Sequence, residues 1–280
     1  MPTPFHFSSI AFIGGGNMAS AIIGGLVRQG MAPGHIHVVE PLAEQRTRLQ
    51  GQWPALKLSP APDASLAAVQ MAVWAVKPQT FAVAAAEAGA HLKQALHLSV
   101  AAGIRSDSIA TWLGSQRIVR AMPNTPALVG QGMTALYARP AVSDLERAGV
   151  ESVVRTTGEC LWLTEEKQLD AVTALSGSGP AYVFYFIEAM AQAGIEMGLP
   201  AEQALHLAKA TFTGASALAQ NSSEPPQVLR ERVTSKGGTT YAALTAMERA
   251  QVGLHFKQAL HAAQTRAVEL GDEFGRSPGA

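Results

Sequence analysis

The feature that most constrains this chain is a run of three glycines caught between a strand and a helix. Ile10-Ala11-Phe12-Ile13 is a short apolar run of the kind a buried strand shows. Gly14-Gly15-Gly16-Asn17-Met18-Ala19 follows, and a helix-like stretch continues from Ala19 to Gln29. This fits G-x-G-x-x-(G/A) in its required setting, with a strand before and a helix after. Gly14 permits the tight turn, Gly16 lets the backbone approach a pyrophosphate, and Ala19 allows close helix–strand packing. Free N–H groups at the helix start, around Gly15, Asn17 and Met18, are then placed to bind phosphates. A glycine turn without a cofactor is the alternative, and the flanking strand and helix weigh against it.

Further apolar runs extend the pattern. Ile36–Val39, Met71–Val76, Leu96–Val100 and Ile118–Ala121 read as strands, Met133–Tyr137 and Cys160–Leu163 as later ones, with helix-like segments such as Thr80–Leu92 between them. This alternation predicts an α/β domain, a Rossmann-type parallel sheet with helices on both faces, over residues 1–164. Glu40 ends the second strand, 24 residues past Gly16, where a carboxylate accepts from a ribose 2′-hydroxyl and repels a 2′-phosphate. That favours NADH, although Gln45, Arg46 and Arg48 lie within reach. Ligands in open α/β sheets sit beyond the carboxyl ends of strands. Ala75-Val76-Lys77-Pro78 and Asn124, in Met122-Pro123-Asn124-Thr125-Pro126, occupy two such ends. They are candidates for the ribose or phosphate (Lys77) and the nicotinamide (Asn124).

The pattern changes near residue 164. Thr164-Glu165-Glu166 reads as a helix start, a hydroxyl cap followed by acids. From there the chain is expected to be helical, so residues 165–280 form a second, all-helical domain with 271–280 as a frayed tail. Ser176-Gly177-Ser178-Gly179 reads as a turn that delivers Pro180 to the first helical position. The helices expected after it are Pro180–Met197, Ala201–Ala219 and Tyr241–Leu270. The first is apolar on nearly every face, through Tyr182, Phe184, Tyr185, Phe186, Ile187, Met190 and Ile195. Such a helix is buried. A domain of this size buries it with difficulty unless a second subunit helps, so a dimer is the preferred account and a central helix of a monomer the alternative. Before the last long helix stands Val233-Thr234-Ser235-Lys236-Gly237-Gly238-Thr239-Thr240. A loop of small residues at a helix start can aim several N–H groups at one anion, such as a substrate carboxylate. A simple helix cap by Thr239 or Thr240 explains the same composition, and the two stand even.

Composition excludes other classes. Lys and Arg number 21 and Asp and Glu 21, with no basic block, so nucleic acid is not an expected partner. No run of 18 apolar residues exists, so no membrane span is expected, and the N-terminus lacks the pattern of a signal peptide. The chain reads as soluble and cytoplasmic. One cysteine, Cys160, rules out an internal disulfide, and the eight scattered histidines suggest no metal site. Nucleophile-elbow, zinc-protease and paired-carboxylate motifs are all missing.

Taken together, five segments resemble the pyrroline-5-carboxylate reductases: 12–19, 75–79, 120–127, 175–183 and 233–240. The resemblance runs from Ile10 to about Leu270. It implies an oxidoreductase that reduces the cyclic imine 1-pyrroline-5-carboxylate to L-proline with NADPH or NADH, the last step of proline biosynthesis. It implies a Rossmann domain, an interleaved helical homodimer and sometimes a ring of dimers. It also implies that the loop Ser235, Lys236, Gly237, Gly238, Thr239, Thr240 holds the substrate carboxylate, with Thr240 at the ring nitrogen. The family usually has proline where this chain has Lys236, a departure that adds attraction for the carboxylate or loosens the loop. A broader imine reductase, a β-hydroxyacid dehydrogenase-like enzyme and a non-enzymatic dinucleotide sensor are the other readings. The second lacks its expected catalytic lysine, because neither Lys167 nor Lys209 has the right setting. The third gives no reason for the 233–240 loop.

Overall fold

The computed structural model describes residues 6–275. Its sheet has eight strands: β1 (Ile10–Ile13), β2 (Ile36–Val39), β3 (Lys57–Ser59), β4 (Met71–Trp74), β5 (Leu96–Ser99), β6 (Ile118–Met122), β7 (Gly132–Ala138) and β8 (Gly158–Trp162). Their order is β3-β2-β1-β4-β5-β6-β7-β8. All neighbours pair in parallel except β6 and β7. The exception has a local cause. The link from β6 to β7 is a short 3-10 turn, Thr125–Val129, where a parallel return needs a crossover of a dozen or more residues. Helices α1 (Asn17–Arg28), α2 (Ala43–Gln52), α3 (Pro78–Ala88), α4 (Ser106–Leu113) and α5 (Asp144–Val154) supply five of the other six connections, and a 3-10 turn, Ala64–Ala68, stands between β3 and β4.

Central strands β1, β2, β4 and β5 are buried along their whole length. That is why they read as unbroken apolar runs rather than alternating ones. Alternation survives as a division between two cores. Ile10 and Phe12 face a core with Ile22, Ile23 and Leu26 of α1 and Val150 and Val153 of α5. Ala11 and Ile13 face the other, with Trp74, Phe81 and Ile109.

From residue 168 on, the described chain is helical: α6 (Gln168–Val172), a single π-turn (Thr173–Gly177), α7 (Gly179–Glu196), α8 (Ala201–Gln220), α9 (Pro226–Arg232), α10 (Thr239–Arg249) and α11 (Val252–Phe274). Several local expectations are corrected here. Thr164 caps nothing; helix begins only at Gln168, and Glu166 turns back to the N-terminus of α4. The serine–glycine run is not an open turn but a π-turn that carries α6 into α7, closed by Ser178 N–H donating to Thr173 O at 2.8 Å. The last expected helix is two, α10 and α11, separated at Gln251, whose φ is 53°. Gln251 O accepts from Leu254 and His255 at the start of α11. The residue that takes the positive φ is a glutamine, and Gly253 comes only after it as the second residue of α11, so the break is not where a glycine would place it.

By packing, the chain forms two compact units, one made of the chain to Ser178 with the stretch from Ala263 on, the other of Gly179–Ala262. The change of secondary structure falls between Trp162 and Gln168, but residues 166–178 pack with the sheet. So does the end of α11. Arg105 donates to Asp272 at 2.6 Å, and Phe274 packs against the core that holds Trp74. Gly271–Phe274, expected as frayed tail, are therefore helical and anchored, and 276–280 lie outside the described residues. In the helical unit α7 packs along α8, where a Cβ on Gly194 would stand 3.0 Å from that of Ala204. Phe256 meets Tyr182 and Phe186 edge-on. Only Ala191 and Gly194 of α7 are buried. Its other apolar side chains, expected to be buried, are largely open in the single chain, Phe184 by 59% and Tyr185 by 67%.

Candidate dinucleotide and substrate sites

The strand order reverses between β1 and β4, which opens a crevice at their carboxyl ends. Gly14 stands there with φ +94°, a conformation that side chains disfavour. Space forbids one as well, since a Cβ would lie 2.8 Å from Ala75 O and 3.1 Å from Val76 Cγ1. Ala75 is itself held by its N–H to Ile13 O at 2.9 Å. The structure thus brings Gly14, Ala75 and Val76 together. Gly16 has nothing within 4 Å of its would-be Cβ, and it is the N-cap of α1 with no side chain to cap the helix. The first-turn N–H groups, of Asn17 and Met18 among others, are left for an external anion. Ala19 is fully buried, as close helix–sheet packing requires. This cradle fits the diphosphate of a dinucleotide.

Glu40 does more than the spacing suggested. It is 7% exposed. Its Oε2 accepts Gly15 N–H at 2.8 Å and its Oε1 accepts Leu42 N–H at 2.8 Å. The Gln45 side-chain amide donates to Gly15 O, so the Gly15 peptide is gripped on both sides. Arg46 Nη1 donates to the carbonyls of Glu40 and Pro41, each at 2.7 Å, and Arg48 donates to Ser20 Oγ at 2.8 Å. Residues read as neighbours of the ribose also brace the glycine turn. Sequence gave no signal of this, because a glutamine in the first turn of a helix is unremarkable.

Lys77 is exposed as the N-cap of α3, with Pro78 as its first residue. Asn124 sits past the end of β6. Its Oδ1 accepts Met133 N–H at 2.9 Å, and its Nδ2 donates to Ser176 O and Oγ, both at 3.3 Å. Those partners lie nine and 52 residues away, beyond the reach of a motif.

The second loop lies in the helical unit. Gly237 has φ +78°, and Gly238 N–H donates to Ser235 O at 3.0 Å, closing a tight turn. Gly238 is the N-cap of α10 and offers no side chain. Thr239 and Thr240 are the first two helical residues, so neither is the cap that competed with the anion reading. Ser235, Lys236 and Gly237 are exposed and Thr240 is half-buried.

A glycine cradle at a sheet switch point, followed by a helical region rich in open apolar faces, defines a class: two-domain, dinucleotide-dependent oxidoreductases that dimerise through helices. Comparison with known proteins narrows it. Residues 9–103 match the family described as NADP oxidoreductase, coenzyme F420-dependent, and residues 166–270 match pyrroline-5-carboxylate reductase dimerisation. Pyrroline-5-carboxylate reductase of Pseudomonas aeruginosa is 43% identical over 269 residues, covering 95% of this chain and 98% of its own. A solved Coxiella burnetii pyrroline-5-carboxylate reductase superposes with a TM-score of 0.87 at 36% identity, over 94% of this chain and 98% of its own. That of Plasmodium falciparum, solved with NADP bound, gives 0.83 at 27% identity over the same shares. The chain belongs to the pyrroline-5-carboxylate reductase family. It is an NADP(H)-binding oxidoreductase, and its helical region makes a homodimer. Among the described residues no helix is long and apolar enough to cross a membrane.

Proposed function

We propose that the two loops divide the work of one reductase reaction. The reaction is the reduction of 1-pyrroline-5-carboxylate to L-proline, the last step of proline biosynthesis, and the full-length 43% identity carries that conclusion. Bound NADPH supplies the hydride. A protonated imine is already a strong electrophile, so the protein's task is orientation and proximity. This accounts for a site without a conspicuous catalytic histidine or carboxylate pair. Gly14, Gly15, Gly16, Asn17 and Met18 hold the diphosphate. Glu40 lies toward the adenosine ribose, and Ala75, Val76, Lys77, Pro78 and Asn124 toward the nicotinamide half. NADH is the alternative hydride source.

In the same proposal the loop Ser235, Lys236, Gly237, Gly238, Thr239, Thr240 holds the substrate carboxylate through N–H groups at the start of α10, with the Lys236 ammonium adding attraction. Thr240 Oγ1 bonds the ring nitrogen and steadies it as its charge changes. Its support is the uncapped α10 N-terminus under a glycine turn. A closed ring of dimers and a cytoplasmic location belong to the proposal too.

The test is NADPH oxidation with pyrroline-5-carboxylate beside 1-pyrroline, which lacks the carboxylate. Strong preference for the acid is expected. Equal turnover of both removes the carboxylate role of the loop, and turnover of neither removes the reaction.

A further inference from the structure

Arg120, Met122 and Asn124 alternate along β6 and its continuation, so they share one face. All three touch one segment, residues 166–178. Arg120 Nη1 donates to Glu166 Oε1 at 2.7 Å. Met122 Cε lies 2.3 Å from where a Cβ on Gly177 would stand, so the end of the Met122 side chain rests against the backbone of the segment. Asn124 reaches Ser176. The segment is thus stitched to β6 at both ends, by Glu166 at one and by Ser176 and Gly177 at the other.

Glu166, itself only partly buried, is the centre of the first of these contacts. Besides Arg120 it takes Ser106 N–H on Oε1 and Ser106 Oγ–H on Oε2, each at 2.6 Å, at the first turn of α4. The Arg120 side chain is 8% exposed and that of Glu166 23%, and the buried Arg120 Nε has no partner among the described residues. Stability alone explains this poorly. A buried ion pair gains little over apolar side chains of equal volume, and an orphaned donor adds a cost. What such a pair supplies is a fixed geometry.

We propose that Arg120 and Glu166 are positioning residues for hydride transfer. Arg120 stands four residues before Asn124 on one strand face, and the pair sets the rim at the end of β6 against the Ser176–Ser178 turn. This rests on the reductase reading and on Asn124 belonging to the nicotinamide half of the site.

The experiment compares Arg120→Lys, Glu166→Gln and Ser176→Ala in the full-length protein, with pyrroline-5-carboxylate and NADPH. Arg120→Lys keeps the charge but loses the planar fork, Glu166→Gln keeps the shape but loses the charge, and Ser176→Ala probes the half-exposed far end. A displacement near 1 Å can cost up to about a hundredfold. A loss in kcat of about ten- to a hundredfold is expected for Arg120→Lys and Glu166→Gln, with KM for NADPH nearly unchanged, and a smaller loss of the same kind in Ser176→Ala. A lowered melting temperature with normal kcat below it overturns the proposal, and so does a raised KM for NADPH with normal kcat. If the first two variants fail to fold, normal kcat in Ser176→Ala overturns it alone. A wild-type protein that does not turn over pyrroline-5-carboxylate overturns the reductase reading instead, before any variant is made.

Discussion

Thr240 illustrates how one hydroxyl separates two roles. With Gly238 as the N-cap of α10, Thr240 has no capping bond to lose. Thr240→Val keeps the shape and removes the hydroxyl. A bond to a charged partner is worth about 1.5–3 kcal/mol, so kcat/KM for the imine should fall by about ten- to 150-fold. NADPH affinity and melting temperature should stay close to wild type. A destabilised but fully active variant removes Thr240 from the reaction. Glu40 makes the complementary case. Glu40→Ala should raise the NADPH/NADH ratio of kcat/KM, by removing a ribose acceptor and a repulsive charge. Absolute affinity for both should drop, because Gly15 N–H loses its acceptor. Titrating both dinucleotides checks this; an unchanged ratio means that the carboxylate serves only the turn.

Among the elements, strands β1, β2, β4 and β5 were legible because a strand buried on both faces is largely apolar, and β6 because Ile118, Val119 and Ala121 keep that character around the buried Arg120. The glycine cradle was legible because its chemistry is local to six residues. What stayed hidden depends on partners far apart in the chain: Gly15 with Glu40, Asn124 with Ser176, Arg120 with Glu166. The edge strand β3 was hidden too, for its residues Lys57-Leu58-Ser59 are short and half polar. A further pairing of this distant kind joins β4 and β5. Trp74 Nε1–H donates to His97 Nδ1 at 3.2 Å inside the core. Burial, and secondarily the charge of Arg117, push the His97 imidazole down to about 4. The unfolded chain takes up this proton below its ordinary value near 6.5, whereas the folded protein refuses it until about 4. Stability from this group is therefore complete above pH 6.5 and is lost as pH falls toward 4, by roughly 3 kcal/mol. Denaturant unfolding across that window should show the loss, and His97→Gln should flatten it. Parallel curves for the two proteins would assign the acid sensitivity elsewhere.

At the scale of the whole molecule, the open apolar faces of the helical unit demand a partner. Phe184, Tyr185, Met197 and Leu218 are all more than half exposed in one chain. They lie in the region, residues 166–270, that matches pyrroline-5-carboxylate reductase dimerisation, so a second subunit is the expected cover. Sedimentation should find no active monomer at assay concentrations, and Phe184→Asp should shift the protein toward inactive monomer or aggregate. A fully active Phe184→Asp monomer would mean that the dimer is dispensable for turnover. The end of the chain carries a different consequence. Ala263–Phe274 belongs to the sheet unit, where Leu270 and Phe274 lie against Gly103 and Asp272 holds Arg105. On the ribosome, the sheet unit therefore begins to emerge before the helical unit and is completed after it. Its sheet can form early, but the patch around Gly103 stays uncovered until the final turns of α11 leave the exit tunnel. A nascent chain stalled before residue 263 should stay sensitive to protease at that patch, and release of the full chain should close it.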